Sequence, residues 1–365
     1  MQTQLSTFAG DARDLGGVAD DSIHLVVTSP PYPMIEMWDG LFKSLGAGVA
    51  FALENENGAE AFALMHQELD RVWRECHRVV VAGGLVCINI GDATRTMRGG
   101  FRLYSNHARV IYGMEQAGFV PLPDVLWRKP TNAPNKFMGS GMLPAGAYVT
   151  YEHEYILVFR KGDRRKFRSE AEKQLRRQSA FFWEERNRWF SDLWSGISGM
   201  GQEWDRMGMN KTQSDLRAKS AAFPLAIPLR LIAMYSLYGD MVLDPFMGAG
   251  TTILAAGAMG RNGVGFELVP ALANQALARV TQLPDLGHSI AQGRIEAHLR
   301  FVEERTRQGK PPKYWNEEMA CAVMTRQERQ MRVWVPQEVE SAENAGNYRI
   351  DYRCFENPER DQAGA

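Results

Sequence analysis

Short apolar runs alternate with amphipathic stretches along most of this chain. Ile23 to Thr28 is a continuous, β-branched apolar run that stops at Ser29-Pro30-Pro31-Tyr32-Pro33. Prolines cannot continue a central strand, so the pattern predicts a buried parallel strand that ends in a rigid, exposed loop. From about Ala59 to Arg78, the residues Phe62, Met65, Leu69, Val72, Trp73 and Cys76 recur at helical spacing, and Gly83-Gly84 marks the break behind them. Leu85 to Ile90 is a second buried strand, closed by Gly91-Asp92. Asn106 to Gln116 reads as a helix. Val120 to Trp127 and Tyr155 to Phe159 read as strands joined by a Gly/Pro-rich loop from Pro130 to Gly146. The alternation lapses from about Lys161 to Ser220. It resumes with a helix from Leu225 to Leu237, a strand from Met241 to Asp244, a glycine loop, a helix from about Thr251 to Met259 and a strand from Gly263 to Glu267. Strands alternating with helices imply an α/β fold with a mostly parallel sheet covered on both faces. Beyond Gly287 the chain is more polar, with a helix expected from Arg294 to Arg307 and a frayed tail from Glu356.

Composition narrows the classes. With 365 residues the chain can hold one large or two modest domains, and 45% hydrophobic with 23% charged residues is ordinary for a folded protein. The net charge of -1 announces no nucleic-acid partner, so a local basic surface would have to do that work. Such a stretch exists: Arg164, Arg165, Lys166, Arg168, Arg176 and Arg177 are interleaved with Phe167, Phe181, Phe182 and Trp183. The four cysteines form no CxxC pair, which argues against a disulfide framework or a cysteine zinc site, and no metal is expected. Cys76 and Cys87 read as core residues. The N-terminus lacks the basic and apolar regions of a secretory signal, and no apolar run approaches the roughly 20 residues of a membrane span. The expectation is a cytoplasmic protein without a membrane partner.

Two constellations carry chemistry. In Asp244-Pro245-Phe246-Met247-Gly248-Ala249-Gly250-Thr251-Thr252 a strand ends in a carboxylate, two glycines follow, and a helix begins. Glycines admit a ligand close to the backbone, and a helix start offers unpaired N–H groups. One helix and one strand later, Glu267 sits at a strand end, where a carboxylate suits ribose hydroxyls. There is no GxxxxGK[ST], and GAG lacks the third glycine of the dinucleotide fingerprint, so a cofactor without a pyrophosphate is favoured. In the second constellation, Thr28-Ser29-Pro30-Pro31-Tyr32, prolines freeze a loop that offers oxygen acceptors beside an aromatic ring. That is a receptor for a planar, amino-bearing base.

The pair of motifs resembles the amino-group DNA methyltransferases, with [S/N/D]PP[Y/F/W] at the catalytic loop and FxGxG at the cofactor. Ser29-Pro-Pro-Tyr precedes Phe246-x-Gly-x-Gly by roughly 200 residues, an order similar to the circularly permuted β-group found in restriction–modification systems. Gly10-Asp11-Ala12 resembles the element contacting the cofactor adenine, Asn89-Ile90-Gly91-Asp92 the strand after the catalytic one, and Phe223-Pro224-Leu225-Ala226-Ile227-Pro228 the segment on the methionine moiety. The resemblance covers about residues 8 to 285. It implies a seven-stranded, mostly parallel, Rossmann-like methyltransferase sheet, and S-adenosyl-L-methionine as cofactor. The residues it marks for that cofactor are Asp11, Ala12, Thr28, Phe223, Pro224, Asp244, Pro245, Phe246, Gly248, Gly250, Thr251, Thr252, Glu267 and Leu268. Ser29, Pro30, Pro31 and Tyr32 would be catalytic.

The same resemblance implies methyl transfer to a flipped base in double-stranded DNA. Relatives with Ser at the first position of the motif mostly methylate cytosine N4, and those with Asp or Asn mostly adenine N6. Cytosine N4 is therefore expected, adenine N6 is the alternative, and a silent methyltransferase-fold DNA-binding subunit is a third reading. The expected organisation is a catalytic half (1–160), a target-recognition segment (161–220) whose arginines grip DNA, a cofactor half (221–285) and a C-terminal extension (286–365). A monomer or homodimer is expected, with a cognate restriction endonuclease as a partner.

Overall fold

A computed structural model describes residues 1–129, 138–197, 223–342 and 346–355. Its strands are β1 (Gln2–Ala9), β2 (Ile23–Thr28), β3 (Val80–Ile90), β4 (Ala93–Met97), β5 (Gly100–Tyr104), β6 (Phe119–Arg128), β7 (Met138–Gly139), β8 (Ala147–Tyr148), β9 (His153–Lys161), β10 (Leu193–Trp194), β11 (Met241–Asp244), β12 (Asn262–Glu267), β13 (Tyr314–Asn316), β14 (Cys321–Val323), β15 (Trp334–Ser341) and β16 (Asn347–Cys354). Among the described residues, ten of them make one sheet in the order β10-β6-β9-β3-β2-β11-β12-β1-β16-β15.

The expected seven-stranded sheet is its contiguous centre, β6 to β1. Strands β3, β2, β11, β12 and β1 are parallel to one another, and β9 runs antiparallel between β3 and β6. Strand β2 lies inside this array with five of its six residues buried, which is why it reads as an uninterrupted apolar run.

Helices cover both faces. On one, Gly58–Val79 begins at Asn57, whose side chain accepts from Glu60 N, and buries Ala61, Met65, Leu69, Val72, Trp73 and Cys76. Each large side chain hidden this way contributes about 1.5–3 kcal/mol. The helix ends at Val79, and β3 starts at Val80 and runs through Gly83 and Gly84, so those glycines lie within a strand and do not break the helix. The opposite face carries Ala226–Tyr235, Thr251–Ala258, Pro270–Val280 and Leu283–Arg307. No helix of the described residues is long and apolar enough to cross a membrane.

Three strands lie outside the expected seven. β10 extends one edge beside β6. At the other edge, β16 pairs antiparallel with β1, and β15 with β16. The C-terminal region therefore completes the sheet, covering an edge of β1 that would otherwise leave backbone groups unpaired. Its polar reading arises because these edge strands keep one face in solvent.

The start of the basic, aromatic segment packs on this C-terminal region, while residues 198–220 of it lie outside the described residues. Glu185 makes a two-pronged ion pair with Arg294 (2.7 and 2.8 Å), and Phe182 stacks on His298 with ring centroids 3.9 Å apart. Much of the loop from 130 to 146 and the tail from 356 also fall outside the described residues.

Candidate functional site

The C-terminal ends of the parallel strands converge on one cavity of about 450 Å³, a size that holds a small organic ligand. β1 delivers Asp11 and Ala12, β2 delivers Ser29 to Tyr32, β11 delivers Asp244 to Gly248, and β12 delivers Glu267 and Leu268. Phe223 and Thr251 complete this set at the wall.

The glycine loop is folded around two carboxylates. Asp244 Oδ1 accepts from Thr28 Oγ1 at 2.6 Å and from Phe246 N at 3.1 Å. Burial pushes its carboxyl up to about 6, against the hydrogen bonds that favour the charged form. Glu267 accepts from Gly248 N (2.9 Å) with one oxygen and from Val269 N (2.8 Å) with the other, leaving a lone pair on each for a ligand. Gly248 has φ +52°, and a Cβ there would meet nothing within 4 Å. Gly250, at φ +81°, differs: its Cβ would lie 2.7 Å from Ala276 Cβ on the helix Pro270–Val280. Thus only Gly248 borders the cavity, and Gly250 serves helix packing.

Thr28, Pro224 and Thr252 also stand behind the wall. Thr28 is fully buried beneath Asp244, and Thr252 Oγ1 donates to Val27 O at 3.1 Å, tying the glycine-loop helix to β2. The carboxylate of Asp11 is gripped by Arg13 through Nε and Nη2 at 2.6–3.0 Å. Burial pushes the Asp11 carboxyl up, but those bonds and the charge of Arg13 leave it below its ordinary value.

On the facing side, the proline loop is clamped. Asn106 Nδ2 donates to Pro33 O (3.1 Å) and to Gly91 O (2.9 Å), while His66 Nε2 bonds Asn106 Oδ1 (3.0 Å). Burial drives the His66 pKa down to about 3, so the ring is neutral and donates through Nε2. Met34, just after the loop, takes a left-handed φ of +67°, a strained conformation for its residue type.

Three polar residues around Tyr32 escape the sequence reading as site residues. Tyr32 OH donates to Glu154 Oε2 (3.0 Å), Asn89 Nδ2 donates to the same hydroxyl (2.8 Å), and Ser29 Oγ lies 3.2 Å away. Asn89 Nδ2 also reaches Glu154 Oε2 (2.7 Å), and Lys129 Nζ pairs with Glu154 Oε1 (2.7 Å). Burial first, then the Glu154 charge, keeps Tyr32 well above the ordinary phenol range, so it stays an O–H donor. Its one proton goes to the carboxylate, which leaves Ser29 to donate to Tyr32. Both Ser29 lone pairs then face outward as acceptors. A signal for Glu154 existed: it continues the buried face of Ile156 and Val158 on β9, where an isolated carboxylate is costly unless paired.

The basic stretch expected to grip DNA lies elsewhere. Arg165 Nη1 pairs at 2.6 Å with Asp240, which immediately precedes β11. That is the N-terminal end of the parallel strands, opposite the cavity. Arg176 sits over the Phe167 ring at 4.8 Å, and Arg177 pairs with Glu170 at 2.5 Å. Arg164, Lys166 and Arg168 are exposed on the same stretch. These residues therefore stand at the opposite end of the parallel strands from the cavity.

Residues 23–278 match the model of the N6_N4_Mtase family, described as DNA methylase. The chain is 45% identical over 345 residues to the Type II methyltransferase M.MthZI of Methanothermobacter thermautotrophicus, covering 94% of each. It is 50% identical over 270 residues to the Type II methyltransferase M.MjaI of Methanocaldococcus jannaschii, covering 71% of this chain and 85% of that one. Among solved structures it resembles TTHA0409 of Thermus thermophilus in complex with S-adenosyl-L-methionine, with a TM-score of 0.57 and 32% identity over 76% of this chain and 94% of that one. The fold is also that of the cytosine-N4-specific PvuII DNA methyltransferase, with a TM-score of 0.52 and 19% identity over 76% of this chain and 86% of that one.

Proposed function

We propose, from the premise that this chain belongs to the N6_N4_Mtase family of DNA methylases, that it methylates the exocyclic N4 amino group of cytosine in duplex DNA. The observation that carries the reading is the seating of Ser29 and Tyr32 on the same cavity as Asp244, Gly248 and Glu267.

The cofactor is S-adenosyl-L-methionine, and the cavity fits it. Gly248 leaves open space beside two carboxylates, and Phe246, Leu268 and Leu272 supply apolar wall. Glu267 keeps lone pairs for ribose hydroxyls, Asp244 offers negative charge to a cation, and Asp11 and Ala12 line the β1 side. The cofactor supplies a methyl group on a positively charged sulfur, a reactive leaving group.

The rest falls to the protein. Ser29 Oγ and the Pro30 carbonyl accept the two amino N–H bonds, which draws the nitrogen lone pair out of the ring so that it can attack. The N–C bond forms as the S–C bond of the cofactor breaks, and one amino proton then leaves to solvent. The Tyr32 ring stacks on the base, and rigid positioning supplies most of the acceleration. Ser29 in the motif supports cytosine as the target.

DNA approaches the cavity end of the sheet. The β4–β5 hairpin rises there from Gly91, where a Cβ would come within 3.0 Å of the Tyr32 ring, and it exposes Arg98, Phe101 and Arg102. Phe101 stacks on Tyr148 of the neighbouring β7–β8 segment with centroids 4.9 Å apart. These groups replace Arg164 to Arg177 as the proposed DNA surface, giving cations for phosphates and rings for bases.

Mass spectrometry of nucleosides from DNA methylated by the purified protein tests the reading. N4-methylcytosine is expected, and Ser29→Ala and Tyr32→Ala should each lose turnover while still binding cofactor. N6-methyladenine as sole product would overturn the choice of base, and 5-methylcytosine the mechanism.

A further inference from the structure

We propose that Glu154 is a positioning residue that sets the direction of the Tyr32 and Ser29 hydroxyl protons, so that Ser29 admits an amino group and rejects a carbonyl. The inference deepens the amino-group reading above and rests on it.

Donors and acceptors around Tyr32 match in one order. A carboxylate paired with Lys129 can only accept, and Glu154 Oε2 takes the Tyr32 proton at 3.0 Å. The same oxygen fixes the Asn89 amide, because its Nδ2 at 2.7 Å must be the donor. Asn89 Nδ2 then also donates to Tyr32 at 2.8 Å. With its proton spent and one lone pair occupied, Tyr32 can only accept from Ser29, 3.2 Å away. The order of donation runs Ser29 to Tyr32 to Glu154, and Ser29 presents lone pairs alone to the base. Cytosine offers an N4 amino donor there, whereas uracil offers an O4 acceptor that meets those lone pairs and is repelled.

Glutamine at position 154 reverses this order once Asn89 is replaced by alanine. Lys129 is a donor and holds the amide oxygen, which turns the new NH2 group to Tyr32 and Asn89. Asn89 has an answer ready: its Oδ1 is buried without a partner among the described residues, and an amide flip lets it accept. A flipped Oδ1, however, takes the place of Nδ2 at 2.8 Å from the Tyr32 hydroxyl and would itself accept the Tyr32 proton, keeping the order. With Asn89→Ala beside Glu154→Gln that acceptor is gone, and Tyr32 accepts from residue 154 and donates to Ser29. The Ser29 proton is freed to point at the base.

The test uses the full-length protein with S-adenosylhomocysteine and a duplex carrying its recognised site, identified by sequencing methylated DNA. Competition binding compares cytosine with uracil at the target position. The cost of the G·U mismatch is common to every variant and cancels in the comparison. Glu154→Gln combined with Asn89→Ala should shift the cytosine-to-uracil affinity ratio towards uracil by about ten- to hundredfold relative to Asn89→Ala alone. It should slow methylation by a similar factor and leave cofactor Kd unchanged. Tyr32→Phe keeps the ring and severs the relay, so it should flatten the ratio by itself, and Glu154→Gln added to it should shift nothing more. Should the Asn89→Ala, Glu154→Gln protein fail to fold, Tyr32→Phe alone decides. A ratio equal to that of the unaltered protein in both variants would overturn the proposal and leave Glu154 a structural ion-pair partner. If the unaltered protein forms only N6-methyladenine, the choice of base fails separately. The same comparison with adenine and hypoxanthine then decides the role of Glu154.

Discussion

Gly248 and Gly250 stand two residues apart in one loop, yet their substitution should fail in different ways. Gly250→Ala places a methyl at φ +81° and 2.7 Å from Ala276 Cβ. The left-handed conformation costs about 1–2 kcal/mol, and the overlap with a packed helix about 1–3 kcal/mol more. The expected loss is therefore about 2–5 kcal/mol, several degrees in Tm for a chain of this size. Cofactor Kd per folded molecule should change little, since Gly250 does not border the cavity. Gly248→Asn is the converse. Its φ of +52° is one that asparagine tolerates, and no atom lies within 4 Å of the new Cβ, so the fold should lose no more than about 1 kcal/mol. The side chain projects into open space beside Glu267, however, where the cofactor must sit. A hundredfold rise in Kd, equivalent to about 2.7 kcal/mol, is the expected minimum. Differential scanning calorimetry and titration calorimetry on both variants measure the two effects. Undiminished cofactor affinity in a folded Gly248→Asn protein would refute the placement of the cofactor. So would a Gly250→Ala variant that keeps its Tm and loses affinity.

Asp244 should make cofactor binding pH-dependent. Its carboxyl is raised to about 6, so a cation bound nearby expels its proton, and affinity should rise with pH by up to tenfold per unit below pH 6 and level off above it. Titrations from pH 5 to 8 should show this slope, and Asp244→Asn should remove it. Replacing Arg98 and Arg102 together by glutamate should lower DNA affinity and flatten its dependence on salt, whereas the same change at Arg164, Lys166 and Arg168 should leave the slope intact. The reverse result in a filter-binding series would return the DNA surface to the basic stretch. Arg294→Ala leaves the buried Glu185 carboxylate without its two-pronged partner, and should cost about 3–5 kcal/mol in chemical denaturation. A loss under about 1 kcal/mol would mean the C-terminal region docks mainly through its apolar contacts.

The sequence by itself determined the interior strands and the bottom of the site. β2 and β11 appear at their observed bounds because a strand buried on both faces must be apolar throughout, and prolines or glycines end it where the chain leaves the sheet. The helices Asn106–Gln116 and Gly58–Val79 were legible, the first at its observed ends and the second within a residue, because one buried stripe imposes helical spacing. The strands at the C-terminal side of the sheet were not legible. Gln2–Ala9 mixes polar and apolar residues, and β15 and β16 keep one face wet, so none shows a run long enough to be read locally. Position within the site was decided by the tertiary structure alone. Asn89 on β3 and Glu154 on β9 meet at Tyr32, and Lys129 just after β6 meets Glu154, only because β9 turns back antiparallel between β3 and β6. The arginines from Arg164 to Arg177 carry the right charge for DNA, but charge along a chain does not say which end of the sheet it reaches. Arg165 is anchored by Asp240 at the N-terminal ends of the strands, and the cavity opens at the other end. Residue type fixes what a group can bind, while the direction of the parallel strands decides what it can touch.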